Sequence, residues 1–141
     1  MIDNLQQFLL ELGRGFAFVS RQQRLVVEEQ DFYIDLVFYN FKLKCFLLID
    51  LKLGKLTHQD VGQMDTYVRI YDKFHKSEDD NPTIGLILCS EPSLAVAKYS
   101  VLNESKQLFS SKYLPFLPTV EELQKELLRE RNLLLKGTEN E

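Results

Sequence analysis

Hydrophobic spacing in the first third of the chain changes from helical to strand-like. Apolar residues at Ile2, Leu5, Leu9 and Leu12 have the spacing of one helix face. Gly13 and Gly15 follow them, and glycine commonly ends a helix. Aromatic and β-branched residues then predict strands at 16–19 with 24–27, at 32–39 and at 45–52. The short link around Lys42 favours an antiparallel hairpin between the last two strands.

The middle of the chain predicts one capped helix and one buried strand. Thr57 and Asp60 resemble a helix capping box in which Asp replaces the usual Glu. The helix that they open carries an apolar face at Val61, Met64, Val68 and Tyr71. A turn-rich loop at 79–82 ends this part, and residues 83–89 predict a buried strand.

Past residue 90 the pattern predicts a helix, a strand and a second capped helix. The spacing of Leu94, Ala97 and Val101 favours the first helix, and residues 106–113 favour the strand. Thr119 and Glu122 predict the cap of a C-terminal helix. The order is then helix, three strands, helix, strand, helix, strand, helix. This order predicts an α/β fold in which helices flank a mixed β-sheet.

Composition indicates one ordinary globular unit. The chain has 141 residues, 45% of them hydrophobic and 27% charged. We predict a single domain at residues 1–136 and a flexible, acidic tail at 137–141. The apolar runs are too short to cross a bilayer and none resembles a signal peptide, so we expect no membrane partner and a cytoplasmic location. Cys45 and Cys89 lie in strand-like segments and are predicted to be buried small hydrophobes.

The net charge of −4 lowers the expectation of tight nonspecific binding to nucleic acid. The acidic residues are grouped, at 78–80, in the predicted C-terminal helix at 121–130 and in the tail. A basic surface can therefore exist elsewhere, and a bound cation would neutralise an acidic active site. The charge excludes no class of nucleic-acid enzyme.

Two carboxylates and a lysine stand out against the apolar strands. Side chains alternate along a strand, so Asp50 and Lys52 are predicted to share a face of their strand. If the hairpin turns symmetrically about Lys42 and Leu43, paired positions sum to 85 and Asp35 faces Asp50. Opposed residues have Cβ atoms roughly 4.5–5.5 Å apart, and two carboxylates at that distance repel unless a cation lies between them.

This set of groups predicts metal-assisted phosphodiester hydrolysis. Mg²⁺ prefers oxygen ligands and usually takes one or two carboxylates, with water and substrate phosphate completing its shell. A lysine beside the ion can orient or deprotonate the attacking water, or neutralise charge in the transition state. Asp35, Asp50 and Lys52 supply that minimum, with Mg²⁺ or Mn²⁺ as the expected cofactor.

The same residues resemble a known signature. Ile34-Asp35, followed after fourteen residues by Asp50-Leu51-Lys52, is similar to the motif of PD-(D/E)XK nucleases. The segments FLLELGRGFAFV (8–19), FYIDL (32–36) and GQMDTY (62–67) resemble the C-terminal nuclease domain of YhcG-type bacterial proteins. This resemblance covers about residues 4–106 and implies a restriction-endonuclease-like core.

Site roles follow from the resemblance position by position. It implies Asp35 and Asp50 as metal ligands and Lys52 as the catalytic lysine. Gln63 would complete the motif from the helix, and Glu11 would be the acidic residue of the first helix. The implied activity is that of a Mg²⁺-dependent endonuclease with nucleic acid, DNA by resemblance, as its partner.

Three features depart from the family pattern. Ile34 stands where the signature has proline, which changes little chemically. Asp50 stands where the family more often has glutamate, which shortens the ligand by one methylene. The chain also begins just before the nuclease domain, which raises the expectation of an N-terminal partner domain outside it.

Several alternatives stay open at this stage. The chain could be a catalytically silent module that binds nucleic acid or protein, or a nuclease that requires the N-terminal domain. Surplus leucines at 133–135 pack within the domain or form a homodimer seam. Residues 21–23 are candidates for a phosphate contact, whereas Tyr67 is interpreted as a core-edge residue. His58 and His75 are interpreted as surface residues.

Overall fold

The structure is a computed structural model that describes residues 2–90, 95–100 and 109–139. Three helices and five strands make up the described chain. In order they are α1 (Ile2–Glu11), β1 (Phe16–Val27), β2 (Gln30–Asn40), β3 (Cys45–Leu53), α2 (His58–Ile70), β4 (Ile84–Ser90), β5 (Ala95–Ser100) and α3 (Val120–Glu139). Two π-helical turns, Tyr71–His75 directly after α2 and Phe109–Tyr113 before α3, complete them. No helix in these ranges is long and apolar enough to cross a membrane.

The strands form one mixed sheet in the order β1-β2-β3-β4-β5. The pairs β1–β2, β2–β3 and β4–β5 are antiparallel, and β3–β4 is parallel. A parallel pair needs a crossover, and α2 supplies it between β3 and β4. The predicted α/β class with a mixed sheet flanked by helices is confirmed.

Two predicted elements are wrong. Ala97 lies in strand β5, which pairs with β4, and not in a helix; Leu94 and Val101 lie outside the described residues. A short apolar run is ambiguous between strand and helix, and the free edge of β4 favours the strand here. The predicted strand at 106–113 is a π-helical turn over Phe109–Tyr113, while 106–108 lie outside the described residues. Tyr113 is fully buried and anchors this turn in the core.

The turn between β2 and β3 sets the register that the sequence predicts. Asn40 is buried, and its side-chain oxygen accepts hydrogen bonds from the backbone N–H groups of Lys42 and Leu43 at 3.0 and 2.9 Å. Its amide donates to the carbonyl of Arg14. The ladder then pairs residues whose numbers sum to 85, from Asn40 with Cys45 to Leu36 with Ile49. The predicted register is confirmed over these pairs, and the ladder ends one residue before Asp35 and Asp50.

Each face of the sheet is covered by different helices. One face carries Leu36, Phe38 and Leu47 and packs with residues of α1 and α3. The opposite face carries Val37 and Leu48 and packs under α2, with Met64, Tyr67 and Val68. Because Asp35 and Asp50 alternate with the first set, they lie on the α2 face. Helix α2 therefore covers the side of the sheet on which the predicted site lies.

A glycine in β4 allows α2 to approach the sheet closely. A Cβ atom built on Gly85 would lie 2.6 Å from Cγ and 2.8 Å from Sδ of Met64, and 3.1 Å from Val68. Met64 is fully buried and is the neighbour of Gln63 in α2. The height of α2 above the strands thus depends on the missing side chain at residue 85.

Gly85→Ala is expected to lower the free energy of unfolding by about 1–3 kcal/mol, because overpacking a core has that cost. The fully buried side chain of Met64 has to shift within a packed core, so the melting temperature should fall. Urea unfolding of the wild type and the variant measures the change. Gly62→Ala is the matched control, since a Cβ there meets no atom within 4 Å. Equal effects of the two substitutions would contradict the packing argument.

Candidate active site

A cleft of about 600 Å³ lies where β2, β3 and the start of α2 meet. It brings together four of the five residues predicted from sequence: Asp35, Asp50, Lys52 and Gln63. The remaining lining residues come from the same elements and from β4: Asp31, Phe32, Tyr33, Leu51, Leu53, Asp60, Tyr67 and Ile87.

Beyond the last pair of the β2–β3 ladder, the side chains of Asp35 and Asp50 accept hydrogen bonds from the backbone. The backbone N–H of Asp35 donates to Oδ1 of Asp50 at 3.2 Å. In return, the backbone N–H of Leu51 donates to Oδ2 of Asp35 at 2.8 Å. Each carboxylate is thereby held by the backbone of the opposite strand. This arrangement fixes the two carboxylates beside each other on adjacent strands.

Burial makes the charge on Asp50 unfavourable. The pKa of Asp50 is raised to about 6: removal from water is the largest cause, the Asp35 N–H lowers it, and the nearby negative charges of Asp35 and Asp60 raise it. Asp50 is half-buried by accessible surface, so water still reaches part of it. A cation between the carboxylates would remove the electrostatic penalty.

Lys52 is held by a carboxylate that the sequence assigned only to helix capping. Its ammonium group forms an ion pair with Oδ2 of Asp60, and both side chains are about three-quarters buried. The same Oδ2 accepts from the backbone N–H and the hydroxyl of Thr57, at 2.8 and 2.7 Å. Thr57 in turn accepts from the N–H of Asp60, which completes the predicted capping box. The ion pair with Lys52 lowers the pKa of Asp60.

Helix α2 contributes Gln63 and Tyr67 to the cleft. Gln63 is half-buried, one turn after Asp60, and lines the cleft wall opposite the strands. Tyr67 is 2% exposed and contacts Phe32 edge-on, with ring centroids 6.2 Å apart. Burial raises the pKa of Tyr67 to about 12, so its hydroxyl stays protonated. This supports the interpretation of Tyr67 as a core-edge residue.

Gln22 lies against Asp35 at an irregular point of β1. Its backbone is left-handed, with φ 50°, and its amide donates to Oδ1 of Asp35 at 3.0 Å. Positive φ is uncommon for residues other than glycine, and such strain occurs often at functional sites. Gln22, one of the candidates at 21–23 for a phosphate contact, is therefore in contact with a carboxylate of the cleft. The sequence gives no sign of this irregularity.

Three other residues considered from sequence lie outside the cleft lining. Glu11 is exposed in α1 and accepts a hydrogen bond from Gln7 at 2.7 Å. Its proposed support of the site stays a prediction, since the cleft lining does not include it. His58 and His75 are both exposed, and the ring of His75 stacks on Tyr71. The interpretation of the histidines as surface residues agrees with these positions.

The donor set of the cleft fits Mg²⁺ or Mn²⁺ better than a metal that needs a closed protein shell. Among the described residues, no group of three or more His, Cys, Asp and Glu side chains gathers at metal-binding spacing. Asp35 and Asp50 offer two carboxylates, and Mg²⁺ usually takes one or two with water in the other positions. Zinc sites usually include histidine or cysteine ligands, and the described lining of the cleft contains neither. The two half-buried carboxylates are the residues that would hold the ion.

The chain is similar to proteins with a nuclease domain. A profile of the family described as "YhcG PDDEXK nuclease domain" matches residues 1–128. The chain is also 39% identical, over 137 residues, to a protein of Escherichia coli (strain K12) described as "Putative nuclease YhcG". The alignment covers 97% of this chain but 36% of that relative, so the chain spans about a third of its length.

Proposed function

Because the chain belongs to the YhcG PDDEXK nuclease domain family, we propose that it hydrolyses phosphodiester bonds of DNA with Mg²⁺ or Mn²⁺ held by Asp35 and Asp50. One observation carries the proposal. Two carboxylates on adjacent strands, each accepting a backbone N–H of the other strand, meet in a cleft that also contains Lys52.

The chain's own groups have separate roles in this proposal. Asp35 and Asp50 hold the ion, which when bound polarises the phosphate and activates water. Lys52 orients the attacking water or neutralises charge that develops on the phosphate oxygens. Asp60 fixes the lysine from the N-terminus of α2, and Gln63 supports the opposite wall of the cleft. Glu11 would support the site from α1 only if that helix end moves toward the cleft.

A second part of the proposal concerns the regions of the E. coli relative that this chain does not match. Since this chain matches about a third of the E. coli protein's length, regions that it does not match can hold substrate or switch the nuclease on. We propose that residues 1–136 form the catalytic unit and that a further domain, where one is present, contributes binding. If the chain forms a homodimer, we propose that the second copy likewise contributes to substrate binding.

The test is cleavage of a panel of substrates by the purified chain. Linear duplex DNA, single-stranded DNA, a branched junction and RNA are incubated with Mn²⁺, with Mg²⁺ or with EDTA. We expect cutting of at least one DNA substrate with either ion and none with EDTA. Lys52→Ala, purified in parallel, identifies contaminating nuclease, because contamination would survive the substitution.

Two results would overturn the proposal. Equal cutting by wild type and Lys52→Ala means that the activity belongs to another protein or another site. Absence of cutting by both, in a preparation that binds Mn²⁺, favours a silent binding module. Repeating the panel with the relative's remaining domain added separates silence from dependence on that domain.

A further inference from the structure

An aromatic residue of β2, two positions before Asp35, lines the cleft. Tyr33 precedes Asp35 by two residues in β2, so their Cα atoms lie about 6.8 Å apart along the strand. Tyr33 lines the cleft and yet is 51% exposed. Leu53, at the end of β3, lines the same cleft and is 82% exposed. The mouth of the cleft therefore presents an apolar surface next to the proposed metal ligands.

The neighbouring aromatic residue, Phe32, does not share the exposure of Tyr33. The ring of Phe32 turns inward and contacts the buried ring of Tyr67. Within the described chain, no other aromatic ring packs on Tyr33. Half of an aromatic side chain is thus left in water at the entrance of a functional cleft, where a flat ligand could cover it.

The charges of the cleft do not favour binding of DNA through contacts to its phosphates. Its described lining includes four aspartates, at 31, 35, 50 and 60, and a single cation, Lys52. That cation is already paired with Asp60. Proteins that hold duplex DNA by its backbone rely on several lysine and arginine contacts. Apart from the proposed metal ion, the lining offers apolar and aromatic contacts in place of cations.

We propose that Tyr33 and Leu53 form a subsite that stacks an unpaired nucleobase next to the scissile phosphate, so that the substrate is DNA with single-stranded character at the cut. This inference rests on the proposed nuclease function. Bases inside a duplex are stacked on each other and cannot offer a face to Tyr33, whereas unpaired bases stack on aromatic side chains. A single strand, a flap or a frayed end meets this requirement.

A tryptophan reporter tests the subsite directly. The chain contains no tryptophan, so Tyr33→Trp introduces the only one. In the Lys52→Ala background with Mn²⁺, a single-stranded oligodeoxynucleotide is expected to quench the fluorescence of Trp at 33. A blunt duplex of the same sequence is expected to leave the signal unchanged at the same concentration. The background substitution slows cleavage, so that the oligonucleotide stays largely intact during the titration.

Phe41→Trp is the matched reporter control. Phe41 is a 60% exposed aromatic residue at the β2–β3 turn, about 20 Å along β2 from Asp35. Its reporter should not respond to either oligonucleotide. Equal quenching of both reporters by the single strand, no quenching of the reporter at 33, or equal quenching by the duplex would each overturn the subsite.

Steady-state cleavage gives a second readout. Tyr33→Ala is expected to raise KM for a single-stranded substrate about 5- to 150-fold, the range that stacking of one base supports, with a small change in kcat. Tyr33→Phe keeps the ring and should restore most of the affinity. Unchanged KM in Tyr33→Ala would contradict the subsite while leaving the nuclease itself intact. If the wild type with Mn²⁺ cuts nothing, the proposed function fails first.

Discussion

Asp50→Asn is expected to abolish metal-dependent cleavage, by about 10³-fold or more, since a bound ion contributes several kcal/mol to such reactions. The substitution keeps an oxygen that accepts the N–H of Asp35, so the local hairpin geometry survives. It removes one of the two charges that would hold the ion. Mn²⁺ at about 100 times its Kd would stabilise the wild type by about 2.7 kcal/mol, and this gain should vanish in the variant.

The same substitution is expected to stabilise the protein when no metal is present. The pKa of Asp50 is raised from 3.8 to about 6, mainly by burial, so folding disfavours its ionised form. The penalty is absent below the unfolded pKa of 3.8, grows as pH rises toward 6 and is complete above it. In EDTA at pH 8, Asp50→Asn should therefore be more stable than wild type by about 1–2 kcal/mol, a figure reduced for the partial exposure of the side chain.

Urea unfolding in EDTA at pH 8 and pH 4 measures this difference. The advantage of Asp50→Asn should be present at pH 8 and disappear at pH 4, where the wild-type carboxyl is protonated. Asp79→Asn, in the exposed loop before β4, is the matched control for removal of one negative charge. The burial argument would be wrong if Asp79→Asn gave the same gain, or if Asp50→Asn were less stable than wild type at pH 8.

The hairpin and its carboxylates could be predicted because short-range rules determine them. Strand alternation places Asp50 and Lys52 on one face, and the turn around Lys42 sets a register whose last pair, Leu36 with Ile49, adjoins Asp35 and Asp50. The cap of α2 follows in the same way from the spacing of Thr57 and Asp60. Each of these features depends on residues close together in the chain, so a local pattern suffices.

Features that depend on residues far apart in the chain could not be predicted from the sequence. Strand β5 was predicted as a helix because its apolar spacing suits both structures, and pairing with β4 decides the outcome. Asp60 fulfils its predicted capping role, yet its contact with Lys52 arises only because α2 begins beside the end of β3. Gln22 contacts Asp35 because its backbone has a positive φ, and no glycine or other residue type at this position predicts that conformation. The strand residues of the candidate site and Gln63 of α2 were therefore predicted, whereas the contacts of Lys52 with Asp60 and of Gln22 with Asp35 were missed.

Lys52→Ala is expected to lower kcat by about 10²- to 10⁴-fold, the usual range for loss of a proton-transfer or charge-stabilising group. Asp60→Asn should lower kcat by about 10- to 100-fold with little change in KM, because it leaves the lysine in place but unfixed. An asparagine oxygen still accepts from Thr57, so the cap of α2 persists. Single-turnover cleavage with saturating Mn²⁺ measures both effects.

The decisive comparison is between variants that lose the Lys52–Asp60 ion pair and a variant that loses only the cap of α2. Thr57→Ala removes the cap and should cost about 1 kcal/mol of stability, with kcat within about twofold of wild type. If Asp60 acts through Lys52, adding Asp60→Asn to Lys52→Ala should reduce kcat by less than about twofold further, so the two effects are not additive. Additive losses would assign Asp60 a separate role. A higher kcat in Asp60→Asn would instead mean that the ion pair holds Lys52 away from its task, as an inhibitory contact.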